Sequence, residues 1–285
     1  MPLWSSIARL VKDPPPDYIF ELSEAGVAHM HDERSAFGEF APGVLKASPS
    51  EDNLLKADAA AAVVSQLAPP NGAKKRRRAA VVLPDAAARI AVLDFDVFPD
   101  SPAEQLPLVR FRIKRTIPFD IDAAAVSYYR QPGTNRKGKI EVVAATVALE
   151  VLARYEALFR NAGFHPGDVT VSALAALELY RGEEPAVIAK LAGNSLTVML
   201  AAGGKLKLFR CLALEEANEE EILSVLRPTF AYAEDELESP VQRLILCGLE
   251  NLRAIPCEVE PLQSRFGAPT PFNAGVYGYM EAARS

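Results

Sequence analysis

Two rhythms of apolar residues alternate along this chain: short runs of strand length, and longer stretches at helical spacing. Residues 18–22 and 27–31 are strand-like runs on either side of Gly26, the pattern of a β-hairpin. Residues 34–50 are turn-rich and show neither period. A helix is predicted over 50–67, with Ser50 as its cap and Glu51 and Asp52 in its first turn. Leu55, Ala59, Ala62 and Val63 form its apolar face, and Lys56 and Asp58 its solvent side. Pro69-Pro70-Asn71-Gly72 ends it. Between 79 and 129 the order is strand, strand, helix, stop, strand. Residues 79–83 lead into Leu83-Pro84-Asp85, and 88–98 form a second strand. Residues 102–116 carry Leu106, Val109 and Ile113 at helical spacing. Ile117-Pro118-Phe119-Asp120 stops that helix, and 125–129 is the last strand of a small α/β unit.

A strand over 140–145 and a helix over 149–162 follow. The second half begins near Glu183 with apolar runs at 186–191, 196–200 and 206–212. The first pair is joined through Ala192-Gly193-Asn194-Ser195, the second through Gly203-Gly204, a hairpin signal. Residues 215–232 place Ile222, Leu223, Val225, Leu226 and Phe230 on a helix that Pro228 is expected to kink. A buried strand ends at Gly248, and 276–283 forms a closing helix.

Composition narrows the classes. At 285 residues the chain exceeds one typical domain, and 49% apolar with 24% charged residues is an ordinary globular balance. The net charge of -6 gives no bulk reason to expect nucleic acid. Cys211, Cys247 and Cys257 form no C-x-x-C, against a disulfide framework or a zinc site. His29 and His31 share a strand face, but His165 is far away, so a metal would lack its further ligands. No apolar run reaches the roughly 18 residues that a membrane span needs. The N-terminal stretch has Trp4, Ile7, Leu10 and Val11 at helical spacing with Arg9 and Lys12, without the apolar core of a secretory signal. It reads as a helix packed on its own domain or a partner, ahead of a membrane-surface anchor. Lys74 to Arg78 are five consecutive cations, more in keeping with a solvated loop than with a patch for anionic lipid.

The pieces from Leu83-Pro84-Asp85 onward, in this order, resemble the PilM family, cytoplasmic actin-like proteins of the type IV pilus inner-membrane platform. The matching words are that strand end, the Arg/Lys-rich stretch 110–115, the Pro118-Phe119 pair and Ser127-Tyr128. The likeness continues through 140–145, the helix 149–162 with Asn161-Ala162-Gly163-Phe164 at its end, and the return segment 169–180. It implies an α/β, actin-like (ribonuclease H-like) fold of two domains, with an inserted small subdomain, 1C, and a truncated second domain. The expected division is 1–85 as the first part of domain 1 (1A), 86–165 as the insert, 166–184 as the return to 1A, and 185–285 as the shortened domain 2.

In this superfamily the opening hairpin carries an Asp-x-Gly that helps hold the metal and phosphates of ATP. The corresponding triplet here is Glu21-Leu22-Ser23, where Ser23 adds a side chain at the glycine position. The second such turn reads Lys190-Leu191-Ala192-Gly193-Asn194-Ser195, with a cation in place of the acid. Gly248 stands alone where the family has a glycine pair. Gly204-Lys205 is no Walker A, since neither Ser nor Thr follows. The stretch 213–243 has room for one helix, too little for the lobe that covers adenine. Glu21, Ser23, Lys190, Gly193, Ser195 and Gly248 are therefore expected to be a vestigial nucleotide site, with no catalytic residue, no metal and no bound ATP.

The resemblance implies a scaffold rather than an enzyme. In the family, the cleft between 1A and 1C takes the cytoplasmic N-terminal peptide of the membrane protein PilN, and the complex relays to pilus motor ATPases. Arg110, Arg112, Arg115 and Phe119 are the expected part of that surface. The protein is expected to be cytoplasmic and peripheral to the inner membrane. GspL of type II secretion shares the fold but continues into a transmembrane helix, and the lack of one here favours PilM. A nucleotide-driven ATPase is the alternative, and it needs carboxylates for magnesium and glycine turns for phosphate.

Overall fold

The computed structural model describes residues 16–69, 77–250, 252, 255 and 257–284. The N-terminal stretch from Trp4 to Lys12, Pro70-Asn71-Gly72, Lys74 to Arg76 and Asn251 lie outside the described residues. The chain forms two compact units. One holds the described residues before 88 together with 150–180 and 262–284, and the other holds 88–149 and 181–261. The division expected from the sequence places the closing helix with 185–285 and the helix 149–162 with the insert. By contact, the first belongs to the opening unit, as does nearly all of the second.

The first unit is built on a five-stranded sheet ordered β3-β2-β1-β4-β8. Its strands are β1 (Tyr18–Ser23), β2 (Gly26–His31), β3 (Arg34–Glu39), β4 (Arg77–Leu83) and β8 (Phe164–Val171). β1, β2 and β3 pair antiparallel, whereas β4 lies parallel to both β1 and β8. The continuous apolar run of β4 suits a strand covered on both faces. β3 is an exposed edge strand without a clean alternation, so the period of two that would reveal it is missing. Helices α1 (Ala57–Leu67), α3 (Leu149–Asn161), α4 (Ser172–Ala176) and α6 (Ala274–Ala283) complete the unit.

α1 begins six residues later than the Ser50 cap predicts and buries Ala60 and Val64, not the face of Leu55 and Ala59. The reason is Asn53. Its side chain accepts from the Ser48 N–H and donates to the Ser48 and Glu51 carbonyls, folding 48–53 into a turn. Tyr155 Oη donates to the same Asn53 oxygen at 2.8 Å.

The second unit contains two sheets. The larger, ordered β11-β10-β9-β12-β13, comprises β9 (Ala186–Ala192), β10 (Ser195–Ala202), β11 (Lys205–Ala213), β12 (Arg243–Cys247) and β13 (Glu258–Pro261). Its three antiparallel strands followed by two parallel ones repeat the plan of the first sheet. Among the described residues, α5 (Glu219–Leu237) is the one helix between β11 and β12. It runs unbroken through Pro228 and buries Ile222, Leu226 and Phe230 against the sheet.

The smaller sheet is the insert, β5 (Arg89–Phe95), β6 (Ala124–Arg130) and β7 (Ile140–Ala148), antiparallel in the order β5-β7-β6. Helix α2 (Pro102–Ile113) lies on it through Val109 and Ile113, as its spacing predicts. The loop between β6 and β7 is tied to the larger sheet. The fully buried Gln131 amide bonds both the N–H and the C=O of Leu206 at 2.8 Å, and Lys207 pairs with buried Glu141 at 2.6 Å. Lys137 reaches Glu236 on α5 at 2.7 Å.

Candidate functional site

Glu21 sits on β1, 1% exposed. One carboxylate oxygen accepts from the hydroxyl of Ser172 at the start of α4, and the other accepts from the N–H of Val276 at 2.9 Å. Val276 lies in the first turn of α6, where backbone N–H groups have no helical partner and the helix dipole favours a negative charge. Gly275 makes this approach possible: a Cβ there would stand 2.8 Å from Val82 Cγ1 and 3.0 Å from Glu21 Oε2. Asp85, whose role sequence reasoning did not identify, does the same for α4, accepting from the Ala173 N–H at 2.6 Å. Leu83-Pro84-Asp85 signals the strand end, but nothing in the local pattern signals the partner.

Ser23 is occupied by its own turn. Its hydroxyl donates to the Gly26 carbonyl at 3.0 Å and receives the Gly26 N–H at 3.2 Å. At Gly26 itself a Cβ would collide with the Gly38 carbonyl of β3. The turn between β1 and β2 is thus closed by backbone packing and by the Ser23 side chain.

In the other unit Lys190 lies on β9, the middle strand of the larger sheet, and is 3% exposed. Gly193 has φ +60° in the turn between β9 and β10, and a Cβ added there meets nothing within 4 Å. Ser195 Oγ is 3.4 Å from Cys211 Sγ of β11, across the next hairpin. Gly248 follows β12 with φ +75°, a conformation that favours glycine. Lys190 and Ser195 are thus held within the sheet and its hairpin.

The cationic helix divides by function. Arg110 donates to the Ile121 carbonyl and to Asp122, and Arg112 donates to the Asp94 carbonyl with its guanidinium 5.3 Å above the Phe95 ring. Both therefore fasten α2 to its own sheet. Phe119 is half-buried against the same core, and Arg115 is exposed. Among the described residues, no three His, Cys, Asp or Glu side chains converge as metal ligands, and no helix is long and apolar enough to cross a membrane.

No protein-family model matches the sequence, and no curated protein sequence matches it significantly. Solved structures do match. The PilM–PilN type IV pilus biogenesis complex superposes with a TM-score of 0.66 at 16% identity, covering 95% of this chain and 97% of that one. The cytoplasmic domain of EpsL, an inner-membrane component of the Vibrio cholerae type II secretion system, gives 0.60 at 14% identity, covering 94% of each. A Bacteroides thetaiotaomicron protein of unknown function with an actin-like ATPase fold gives 0.51 at 11%, covering 92% and 96%. At these identities the likeness speaks for architecture: the chain has the actin-like fold, in a PilM-like arrangement of repeated five-stranded sheets and a small α/β insert.

Proposed function

We propose that this protein is a PilM-like scaffold of a type IV pilus platform, binding the cytoplasmic N-terminal peptide of a PilN-like membrane protein and working without ATP hydrolysis. The observation that carries the reading is the match to the PilM–PilN structure along nearly the full length of both chains. The residues at the nucleotide positions support it. Both oxygens of Glu21 already hold protein groups, Ser23 closes its own turn, and a buried lysine stands where an acid would face magnesium. These residues do not fit a magnesium–nucleotide pair bound in the superfamily's manner. A peptide-binding role needs main-chain hydrogen bonds and side-chain pockets rather than those groups. On this reading the protein works at the cytoplasmic face of the inner membrane, held there by its partners, and a pilus motor ATPase is a further partner.

Affinity capture of the tagged full chain from its own cells tests the reading. A single-pass membrane protein retained through its N-terminal segment is the expected result. Absence of such a protein, together with clear stabilisation by Mg-ATP, would move the assignment to a nucleotide-driven ATPase. The likeness to EpsL supports a second reading, a type II secretion component. Capture of secretion rather than pilus proteins would favour it.

A further inference from the structure

The start of β5 packs against the outer edge of β11 without pairing to it, and a cavity of about 190 Å³ is left between them. Antiparallel pairing fixes which main-chain groups face that gap. The Leu214 N–H bonds the Asn194 carbonyl, so positions 208, 210 and 212 of β11 bond to β10, and Phe209 turns its N–H and C=O outward. The Gln131 N–H bonds the Glu141 carbonyl, so odd positions of β7 bond to β6 and even ones to β5. Arg89 therefore bonds to Thr146, and Ile90 turns its main chain outward. Ala88, Ile90, Phe209 and Leu212 give the cavity apolar walls, and Arg89 and Arg210 line it as well. Arg89 donates to the neighbouring Ala88 carbonyl at 3.1 Å, and among the described residues neither arginine meets a carboxylate. The cavity is thus rich in donors and lacks a charged acceptor. Its size falls below the roughly 300–1,000 Å³ of sites for drug-sized ligands. It matches a smaller body: an engineered apolar cavity of about 150 Å³ takes up benzene.

We propose that this cavity binds a small organic anion, a monocarboxylate with a compact apolar body of about the size of a benzene ring. The body lies against Ile90, Phe209 and Leu212, and the carboxylate accepts from the guanidinium groups of Arg89 and Arg210. The bound anion bridges β5 of the insert and β11 of the larger sheet, a second link beside the Lys207–Glu141 pair. The site lies wholly within the unit formed by the insert and the second half. It does not depend on the scaffold reading and stands or falls separately from any PilN-like partner.

The test titrates the full chain to millimolar concentration with benzoate, its neutral counterpart benzamide, and inorganic phosphate, read by amide NMR. Benzoate is expected to shift the amides of 88–90 and 209–212 along one saturable curve. Benzamide keeps the ring without the charge, and phosphate the charge without the ring. Each should bind about tenfold more weakly or worse, the worth of one charge-assisted hydrogen bond or one buried ring. The double variant Arg89→Gln/Arg210→Gln should bring benzoate down to the affinity of benzamide. Should that variant fold poorly, Arg210→Gln alone, at its exposed position, is expected to raise the Kd for benzoate severalfold. Shifts confined to other surfaces, no shift at all, equal affinity for benzoate and either other probe, or unchanged affinity in folded variants would each overturn the proposal.

Discussion

His29 is buried on β2 beside the rings of Tyr18 and Phe20, and its Nε2 has no hydrogen-bond partner. Burial first, then the charges of His31 and Arg77, lower its pKa from 6.5 to about 4. The folded protein therefore keeps it neutral where the unfolded chain already binds a proton. Stability falls as the pH drops from about 6.5 to about 4 and this contribution levels off below, a loss approaching about 3 kcal/mol at roughly 1.4 kcal/mol per unit. His29→Phe keeps a ring in the cluster and removes the orphan nitrogen. We expect equal or higher stability at pH 7 and a flatter decline to pH 5 in urea titrations; identical pH slopes would refute the assignment. A second residue-scale prediction concerns Glu21. Glu21→Ala strips the partner from the Val276 N–H and from Ser172, and should cost about 2–4 kcal/mol in the same assay. A variant as stable as the parent would mean that the carboxylate is not structural. Glu21 was legible as an acid on the first strand, but its occupation was not. Its partners lie 151 and 255 positions away along the chain.

At the scale of elements, helices and strands with a strong period were legible, and their ends were not. β3 and β13 are short, exposed edge strands, so no buried face imprints alternation on them. α5 begins at Glu219 rather than 215 because Asn218 caps it, accepting the Glu221 N–H at 2.9 Å, while the Glu221 carboxylate takes the N–H groups of Glu215 and Glu216. Asn218→Ala should lower stability by about 1 kcal/mol. A melting curve that does not move would transfer the cap to Glu221. The contact of α6 with α4 has no such tolerance. A Cβ on Gly278 would stand 1.9 Å from the Ala175 carbonyl oxygen, so Gly278→Ala must push the two backbones apart. A loss of about 3 kcal/mol is expected from overpacking.

For the molecule as a whole, the insert and the second half share one compact unit, and the Lys207–Glu141 pair is part of what joins them. Lys207→Met leaves Glu141 buried without its cation and should destabilise by about 3–5 kcal/mol. Adding Glu141→Leu should restore most of that loss, and a double variant as weak as the single would show that the charge pair is not the link. Binding of Mg-ATP tests the nucleotide positions globally. Ligand at a hundred times its Kd adds roughly 2.7 kcal/mol, a shift of several degrees. The scaffold reading expects no shift.

By itself the sequence determined most strands and helices with a strong period, their order and the small α/β insert. These follow from hydrophobic periodicity, turn residues and segment lengths, all of which act over a few neighbouring positions. Tertiary structure alone decided what the polar side chains do. Sheet register and the close approach of α6 at Gly275 bring Val276 to Glu21; Asn53 and Tyr155 meet across 102 positions; and the Gln131 amide finds the main chain of Leu206 on β11. A buried donor or acceptor must be paired with whatever the folded chain brings within hydrogen-bond distance, and no local pattern encodes that partner.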